Sequence, residues 1–237
     1  MEINTTNRAQ EVEMMDDFLL EGEELRDALD KIADINKLLG GNKLTLSGVK
    51  KLLKGCEKEQ IVTIVDIGCG NGDMLRMLAR YGQHHGYKFK LIGVDANAFT
   101  INYAINSSSD YNNLVYNCIN VFEEKFNQLD YDIALCTLTL HHFSDDDILG
   151  LMQLLRQKAR LGVVVNDLHR SKTAYNLFKV ICFVFRLNRM SKEDGLISIS
   201  KGFKRKELLD FSNKLGLKKF TVKWKWAFRY EWIIYNI

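Results

Sequence analysis

The sequence contains no proline, and only five of its 237 residues are cysteine. Without proline, helices and turns depend on glycine, asparagine, aspartate and serine for their ends. The cysteines lie far apart and form no Cys-x-x-Cys pair, which excludes a disulfide framework and a cysteine-based zinc site. We therefore expect no metal, and a reducing cytoplasm is the expected location.

Long apolar runs and a strong net charge are also missing. The longest apolar run, residues 180–185, is too short to span a bilayer, which takes about 20 residues. The net charge of +3 is too small to indicate nucleic-acid binding by itself. Residues 201–229 nevertheless carry ten basic side chains against two acidic ones. This region is either a solvated face or a rim that attracts an anionic substrate or a membrane surface.

Short apolar runs alternate with helical patterns between residues 60 and 166. The runs are rich in β-branched residues, which is typical of strands covered on both faces of a parallel sheet. Five such units predict an α/β fold built on an open parallel sheet. The predicted strands cover residues 60–67, 89–94, 114–121, 131–138 and 162–166.

The two ends of the chain have different patterns. Apolar residues recur at helical spacing in residues 11–39, and a second helix is predicted at residues 47–54. Residues 172–187 and 204–215 are predicted helices, and two alternating runs, 220–225 and 229–235, predict a hairpin. We expect one domain in four parts: an N-terminal helical cover (1–56), a cofactor-binding core (57–166), a lid insertion (167–203), and a C-terminal helix with the hairpin (204–237).

A glycine-rich loop follows the first predicted strand. Gly68, Gly70 and Gly72 lie at the sheet edge where open α/β folds bind ligands. Glycine lets a ligand approach the backbone closely, and free N–H groups at the start of the next helix face the ligand. A dinucleotide-binding fingerprint needs its third glycine at the position that Asp73 occupies here. The loop therefore departs from the dinucleotide pattern.

Carboxylates flank this loop and indicate the charge of its ligand. Asp66 precedes the loop and Asp73 follows it, so a pyrophosphate would be repelled. Both acids suit a ligand with an ammonium group and no phosphate, a description that S-adenosylmethionine meets. Asp95 ends the second strand, where a carboxylate can accept hydrogen bonds from both hydroxyls of a ribose. It would do so for NAD as well, so Asp95 alone does not discriminate.

Three motifs in order carry a family resemblance: Val65–Gly72, Gly93–Asp95 and Tyr131–Phe143. Together they resemble class I S-adenosylmethionine-dependent methyltransferases, and His-His-Phe at 141–143 is similar to the ubiquinone/menaquinone C-methyltransferases. Residues 165–170, the apolar helix after them and residues 194–198 resemble small bacterial methyltransferases associated with type III polyketide synthases. The resemblance implies a Rossmann-like, seven-stranded, mostly parallel sheet with an antiparallel last strand.

The resemblance also implies which residues contact the cofactor. Asp66 and the loop glycines would hold the methionyl part, and Asp95 would hold the ribose. Asn120 takes the place of a third-strand acid that meets the adenine amino group in the family, and its amide oxygen can accept the same hydrogen bond. The expected cofactor contacts are Asp66, Gly68, Cys69, Gly70, Gly72, Asp95, Ala96, Asn97, Asn120, Val121 and Thr137.

Transfer of a methyl group to the acceptor molecule requires a base and a pocket that excludes water. His142 follows the fourth strand and His169 follows the fifth, with Asp167 close to His169 in sequence. We interpret these three as candidate catalytic residues; the alternative is that the histidines only shape the pocket. The N-terminal helix and the helix after the fifth strand are candidate lids, with core packing as the alternative. The expected substrate pocket comprises Met15, Phe18, His141, Tyr175 and Phe178.

The predicted activity is methyl transfer from S-adenosylmethionine to oxygen or carbon of a small, apolar aromatic or polyketide-like metabolite. Residues 137–140 replace the Asn-Pro-Pro-aromatic motif of base N-methyltransferases, which speaks against methylation of nucleic-acid bases. An RNA or protein methyltransferase, an NAD-dependent oxidoreductase and a non-catalytic partner that binds S-adenosylmethionine are the alternatives. We expect a small-molecule substrate, no clear nucleic-acid or stable membrane partner, and a homodimer as one possible assembly.

Overall fold

The computed structural model describes residues 4–236. Seven strands form one sheet: β1 (Ile61–Ile67), β2 (Lys88–Asp95), β3 (Leu114–Cys118), β4 (Ile133–Thr137), β5 (Gly162–Leu168), β6 (Phe220–Lys225) and β7 (Arg229–Tyr235). Their spatial order is β3-β2-β1-β4-β5-β7-β6, and β7 runs antiparallel to both of its neighbours. The predicted fold class, with an antiparallel last strand, is confirmed.

Eight α-helices of the described residues surround the sheet. They are α1 (Glu23–Leu38), α2 (Gly41–Leu52), α3 (Asp73–His85), α4 (Ala98–Ser107), α5 (Asp145–Lys158), α6 (Lys172–Val184), α7 (Arg189–Lys201) and α8 (Arg205–Lys214). In the part of the chain described, no helix is both long and apolar enough to cross a bilayer.

The core consists of two apolar layers, one on each face of the sheet. Strand residues alternate between them, so that Ile67 and Val165 face the layer with α5 and α8, whereas Ile64 and Val164 face α2 and α3. Side chains on both faces of the central strands are thereby removed from water, which explains their nearly continuous apolar sequence. This packing fixes the carboxyl ends of β1, β2, β4 and β5 along one edge of the sheet.

The predicted N-terminal helix is wrong in its first half. The helix begins only at Glu23, after Gly22 with a φ of 101°, and a single 3-10 turn at Met14–Asp16 precedes it. The backbone N–H groups of Met14 and Met15 donate to the Asp194 carboxylate, at 2.8 and 3.0 Å. These contacts, 180 and 179 residues apart in sequence, hold the segment outside a regular helix.

Other boundaries differ by smaller amounts. Helix α2 begins at Gly41 rather than at the predicted residue 47, and the third strand ends at Cys118 rather than at Val121. The predicted helix at 172–187 ends at Val184, and α7 follows it as a separate helix that the sequence pattern did not indicate. The hairpin strands at 220–225 and 229–235 have the predicted bounds.

Candidate active site

One cavity of about 880 Å³ lies at the carboxyl ends of the central strands. Its walls come from the loops after β1, β2, β4 and β5, from the N-terminal segment and α1, from α6 and α7, and from the turn before β7. This is the edge of an open α/β sheet at which ligands are expected to bind. Its volume falls in the range of small-molecule sites.

The glycine loop after β1 takes backbone conformations that favour glycine. Gly68, Gly70 and Gly72 all have positive φ angles, of 65°, 52° and 79°. A Cβ on Gly70 would meet only Leu29, at 3.7 Å, so this glycine faces open space. A Cβ on Gly72 would lie 2.1 Å from the Tyr116 hydroxyl. Gly68 and Gly70 line the cavity, whereas Gly72 does not and serves the packing of Tyr116.

Two strand-end carboxylates face the loop in different ways. Asp95 Oδ2 accepts a hydrogen bond from the backbone N–H of Gly70 at 3.2 Å, and its Oδ1 accepts one from Asn97 at 3.1 Å. Asp66 is 2% exposed, and its Oδ1 has no hydrogen-bond partner in the described part of the chain. A buried carboxylate oxygen without a donor is costly, so a ligand donor is expected there.

The electrostatics of these acids favour a cationic ligand. Burial raises the pKa of Asp66 well above its ordinary value, and the charges of Asp73 and Asp95 raise it further. Burial also raises the pKa values of Asp73 and Asp95, although hydrogen bonds from Asn42 and from Asn97 oppose these shifts. An ammonium or sulfonium beside the three carboxylates would relieve their repulsion. The residues present therefore fit S-adenosylmethionine.

Most of the other expected cofactor contacts also line the cavity, and two of them have structural partners as well. Asn97 caps α4, since its side-chain oxygen accepts from Thr100 N at 2.8 Å. Asn120 Oδ1 accepts from Phe122 N at 3.1 Å, which leaves one lone pair for a ligand. Cys69, Ala96, Asn97, Asn120, Val121 and Thr137 all belong to the lining.

A short segment, Glu13–Asp16, crosses one side of the cavity and is called the strap below. Asp194 binds two of its backbone N–H groups, and Ser198 Oγ donates to Glu13 Oε2 at 2.7 Å. Lys201 Nζ lies 3.2 Å from both Glu13 Oε1 and Asp16 Oδ2. Helix α7 therefore holds the strap in place through polar contacts from three of its side chains.

Two histidines after β4 each pair with a carboxylate. His141 Nδ1 lies 2.7 Å from Asp167 Oδ1, and His142 Nδ1 lies 2.7 Å from Asp16 Oδ1 in the strap. The two imidazole rings are 4.3 Å apart between centroids. His141 is fully buried, with its Nε2 facing Glu13 Oε1 at 4.0 Å, whereas His142 is about one quarter exposed at the cavity wall.

The carboxylates determine how His142 titrates. Burial opposes its positive charge, but the hydrogen bond to Asp16 and the charges of Glu13 and Asp16 outweigh burial and raise the pKa of His142. Burial likewise opposes the charge of Asp16, yet His142 keeps the pKa of Asp16 well below its ordinary value. His141 lowers the pKa of Asp167 against the opposing effect of burial. His142 is therefore a stronger base than a free imidazole.

His169 also lines the cavity but has a different hydrogen-bond arrangement. The indole N–H of Trp224 donates to its Nδ1 at 3.2 Å. Burial, Lys204 and Arg170 lower the pKa of His169, so the ring is neutral near pH 7. With Nδ1 accepting, the neutral ring carries its proton on Nε2. In this tautomer His169 can donate to a ligand but cannot take its proton.

The remaining predicted residues divide between cavity and surface. Met15, Phe18 and Phe178 line the cavity together with His141, whereas Tyr175 does not. The Tyr175 ring instead lies under the ammonium of Lys179, at 4.6 Å. Asp167 is not part of the lining; it contacts His141 by a hydrogen bond, and its charge acts on Arg229.

Glu13, His141 and His142 have ligand atoms within 4.8 Å of one another, a spacing that a metal ion could share. The ammonium of Lys201 already supplies a positive charge there, 3.2 Å from Glu13 Oε1. Two histidines that each contact their own carboxylate, with a lysine beside them, are suited to holding and moving a proton. The cluster is therefore a candidate for acid–base chemistry.

Sequence reasoning missed Glu13, Asp16, Asp194 and Arg229, all of which line the cavity. Their partners lie far away along the chain, for instance 126 residues between Asp16 and His142. The one available signal was the run of acids near the N-terminus, and it does not distinguish buried acids from solvated ones.

Residues 64–162 match a methyltransferase domain family. The match covers 99 of the 237 residues and makes this part of the chain, with the glycine loop and strands β2 to β4, similar to methyltransferase domains. A ubiquinone biosynthesis O-methyltransferase of Rickettsia bellii is 26% identical over 114 residues, which are 48% of this chain and 45% of that protein. The match thus spans less than half the length of the curated relative.

Solved structures share the fold of the methyltransferase domain at low sequence identity. The plantazolicin methyltransferase BamL has a TM-score of 0.65 at 14% identity, with 90% of this chain and 97% of that chain covered. The carbon methyltransferase of CurJ has a TM-score of 0.60 at 14% identity, covering 81% of this chain and 54% of that chain. At such identities the likeness establishes the fold alone.

Proposed function

We propose that this protein transfers the methyl group of S-adenosylmethionine to an oxygen or carbon atom of a small, largely apolar metabolite, aromatic or polyketide-like. The observation that carries the proposal is that one cavity joins three features. These are a glycine loop beside an unpartnered carboxylate, a histidine paired with aspartate, and an apolar wall. The matching methyltransferase domain supports the reaction type.

The cofactor's place follows from the donors and acceptors of the loop. Asp66 would accept from the ammonium group, and Asp95 would accept from the ribose hydroxyls, since both carboxylates border the cavity beside Gly68 and Gly70. S-Adenosylmethionine supplies an electrophilic methyl group on a sulfonium. Val121 and Ala96 offer apolar contacts to a flat ring at the carboxyl ends of β3 and β2.

His142 is the residue we assign as the base. Its Nδ1–H donates to Asp16, which leaves Nε2 as a proton acceptor at the cavity wall. A hydroxyl or acidic C–H of the acceptor molecule would give its proton to Nε2 as the methyl group is transferred. The resulting imidazolium is stabilised by Asp16 and by the charge of Glu13, 3.7 Å from Nδ1. His141 and Asp167 form the layer behind it and position the ring.

The apolar part of the cavity lining supports an apolar acceptor. It consists of side chains from α1, α6 and the loops after β3 and β4. Neighbours of the same fold include the carbon methyltransferase of CurJ and a citrinin polyketide synthase methyltransferase domain, which agree with an acceptor of this kind. The apolar wall residues include Leu25, Leu29, Ile32, Phe122, Phe143, Leu177, Phe178 and Ile181.

A polynucleotide or protein acceptor fits this cavity less well, because such acceptors present charged or polar surfaces to the enzyme. The five cysteines are free thiols. Neither an oligomeric state nor a partner protein enters the proposal.

Methyl-labelled S-adenosylmethionine tests the proposal directly. The protein would be incubated with it and with small-molecule extracts of the source organism, and labelled products would be identified by mass spectrometry. We expect label in a low-molecular-weight, organic-soluble product, and far less label with His142→Gln. Label only in RNA or protein, or S-adenosylmethionine that binds without any transfer, would contradict the proposal.

A further inference from the structure

The guanidinium of Arg229 is a buried charge that makes no direct ion pair among the described residues, although the charge of Asp167 acts on it and raises its pKa. Arg229 begins β7, is 3% exposed and lines the cavity. Its Nε and Nη1 atoms have no hydrogen-bond partner in that part of the chain. Burial lowers its pKa to about 10, so the side chain stays protonated near neutral pH. Unpartnered N–H groups of a buried cation are rare and call for an acceptor.

The nearest acids on the neighbouring strand and on β7 are already engaged. Asp167 Oδ1 accepts from His141 Nδ1 and from Leu168 N, both at 2.7 Å, and its Oδ2 accepts from the backbone N–H of His141. Glu231, two residues along β7, accepts from Lys51 Nζ at 2.7 Å through both oxygens. Neither carboxylate neutralises Arg229 by a direct ion pair.

The amino end of α2 lies against this arginine. A Cβ on Gly41, the first residue of α2, would meet the side-chain amide of Asn36 and would lie 3.0 Å from Arg229 Cζ. The N-cap residue Gly40 has no side chain to cap the helix, so the first N–H groups of this 12-residue helix lack a side-chain acceptor. Asn42, in the first turn, lines the same cavity as Arg229. A helix amino end and a guanidinium together attract an anion.

We propose that Arg229 and the first turn of α2 form a carboxylate-binding subsite of the cavity. A guanidinium presents paired N–H donors that match the two oxygens of a carboxylate. Asn42 also connects this subsite to the acids of the glycine loop, since its Nδ2 donates to Asp73 Oδ2 at 2.5 Å. Acceptors for an ammonium and donors for a carboxylate therefore lie side by side, as an α-amino acid group requires.

Two molecules could supply the carboxylate: the amino-acid end of the cofactor, which rests on the proposed function, or an acceptor molecule that carries its own carboxylate. The juxtaposition with Asp73 favours the first. Both sources use the same chemistry at Arg229, and titrations with different ligands separate them.

The first experiment compares Arg229→Gln with wild type by calorimetry. S-Adenosylhomocysteine is one ligand, and its decarboxylated analogue, which keeps the amine and the nucleoside, is the other. We expect the variant to bind S-adenosylhomocysteine roughly 10- to 100-fold more weakly and the decarboxylated analogue with unchanged affinity. Arg205→Gln, at an exposed arginine of α8, is the matched control and should change neither affinity.

The second experiment titrates benzoate into protein saturated with S-adenosylhomocysteine. Unchanged affinity for S-adenosylhomocysteine in Arg229→Gln, with benzoate binding lost, would support the subsite and assign it to the acceptor molecule. An unchanged response to both ligands would overturn the subsite, as would an equal loss of affinity for S-adenosylhomocysteine and its decarboxylated analogue. If S-adenosylhomocysteine fails to bind wild type while benzoate still depends on Arg229, the proposed function fails and the subsite stands.

Folding of the variant is checked separately by thermal unfolding. Since Arg229 is buried with unpartnered N–H groups and no direct ion pair in the described part of the chain, Arg229→Gln is expected to unfold at the same temperature as wild type or higher when no ligand is present. Arg229→Lys keeps the charge but loses the paired donors, so we expect it to recover only part of the affinity for S-adenosylhomocysteine.

Discussion

His142 and Asp16 are 126 residues apart in sequence, yet their Nδ1 and Oδ1 atoms lie 2.7 Å from each other at the cavity wall. This contact joins the loop after β4 to the strap. It fixes the tautomer of His142 with Nε2 as acceptor, and it raises the pKa of the ring. An elevated pKa makes the ring a better proton acceptor, but more of it is protonated at neutral pH.

The titration of His142 gives the first prediction. Its pKa in wild type should lie above that of a free histidine, and Asp16→Asn should lower it, as measured from the ring proton shifts by NMR. The methylation rate should rise with pH through the wild-type value, because only the neutral ring accepts a proton. In Asp16→Asn that rise should move to lower pH. His142→Gln should reduce kcat by about 10²- to 10⁴-fold.

Affinity for S-adenosylhomocysteine provides the control, since His142 is not expected to hold the cofactor. A pKa of His142 that is the same in wild type and in Asp16→Asn would contradict the assignment. So would a methylation rate that Asp16→Asn leaves unchanged at every pH.

The stability of the strap depends on the same pair. The raised pKa of His142 stabilises the folded protein at pH values below the pKa of a free histidine. This stabilisation is lost as the pH rises through the pKa of His142 in the folded protein. The lowered pKa of Asp16 contributes stability above the ordinary aspartate range, and this is lost in acid. The ion pair therefore stabilises the strap most at pH values between the ordinary pKa of aspartate and the pKa of a free histidine.

The second prediction concerns Asp194, which anchors the strap. Asp194→Ala leaves the N–H groups of Met14 and Met15 without their acceptor, so the strap should open more often. Hydrogen exchange at residues 14–16 should accelerate by at least about tenfold, which corresponds to roughly 1.4 kcal/mol for the lost bonds. The pKa of His142 should fall as well, because Asp16 is no longer held beside it.

Glu193→Ala is the matched control for this prediction, since Glu193 is the exposed neighbour and pairs with Arg189 on the surface. Exchange at residues 14–16 should then stay at the wild-type rate. Equal acceleration in both variants would mean that α7 itself has been destabilised, and the anchoring role of Asp194 would be rejected.

The sequence predicted the glycine loop and its acids because all of their determinants are local. A β-branched strand, three glycines and the acids Asp66 and Asp73 lie within thirteen residues, from Ile61 to Asp73, and their geometry follows from one strand-to-helix turn. The hairpin was predicted for the same reason, since alternation and a short turn fix its register.

The strap and the base were harder to predict because long-range contacts override local pattern there. Residues 11–22 have helical periodicity, but the backbone N–H groups of Met14 and Met15 donate hydrogen bonds to the Asp194 carboxylate instead. The tautomers of His142 and His169 depend on Asp16 and Trp224, which no local motif connects to them. Arg229 looked like one more cation in a basic region, yet it is buried.

The third prediction is that replacing Asp66 raises the stability of the protein and lowers its affinity for the cofactor. An acid whose pKa is raised on folding destabilises the folded protein at all pH values where it must be charged, so Asp66→Asn should raise the unfolding temperature of the ligand-free protein. A rise of a few degrees is expected, since about 1 kcal/mol corresponds to roughly 2–4 °C at this length. Affinity for S-adenosylmethionine should fall, because the acceptor for its ammonium is weakened.

Proton release provides the sharper measurement. Binding of a cation lowers the pKa of Asp66, so wild type should release protons when it binds S-adenosylmethionine at mildly acid pH, and Asp66→Asn should release fewer. Calorimetry in buffers of different ionisation enthalpy measures this difference. Asp110→Asn, at an exposed site, is the control and should behave like wild type. Unaltered proton release and affinity in Asp66→Asn would place the ammonium elsewhere.

The fourth prediction tests how tightly α2 packs on the sheet behind the cavity. A Cβ added at Gly48 would lie 2.5 Å from Val164 Cγ1, in the middle of β5, whereas a Cβ at Gly150 in α5 would meet nothing within 4 Å. Gly48→Ala should therefore lower the unfolding free energy by about 1–3 kcal/mol, offset in part by the better helix propensity of alanine. Gly150→Ala should raise it by up to about 1 kcal/mol.

Chemical denaturation of the two variants measures both effects on the same scale. The double variant Gly48→Ala/Val164→Ala separates the clash from a general loss of packing. If the methyl group introduced by Gly48→Ala collides with Val164, the second substitution should cost less in the Gly48→Ala background than in wild type. Additive losses of unfolding free energy would mean that α2 does not approach β5 as closely as the structure places it. The positions of Asn42 and Arg229 at the cavity wall would then be wrong as well.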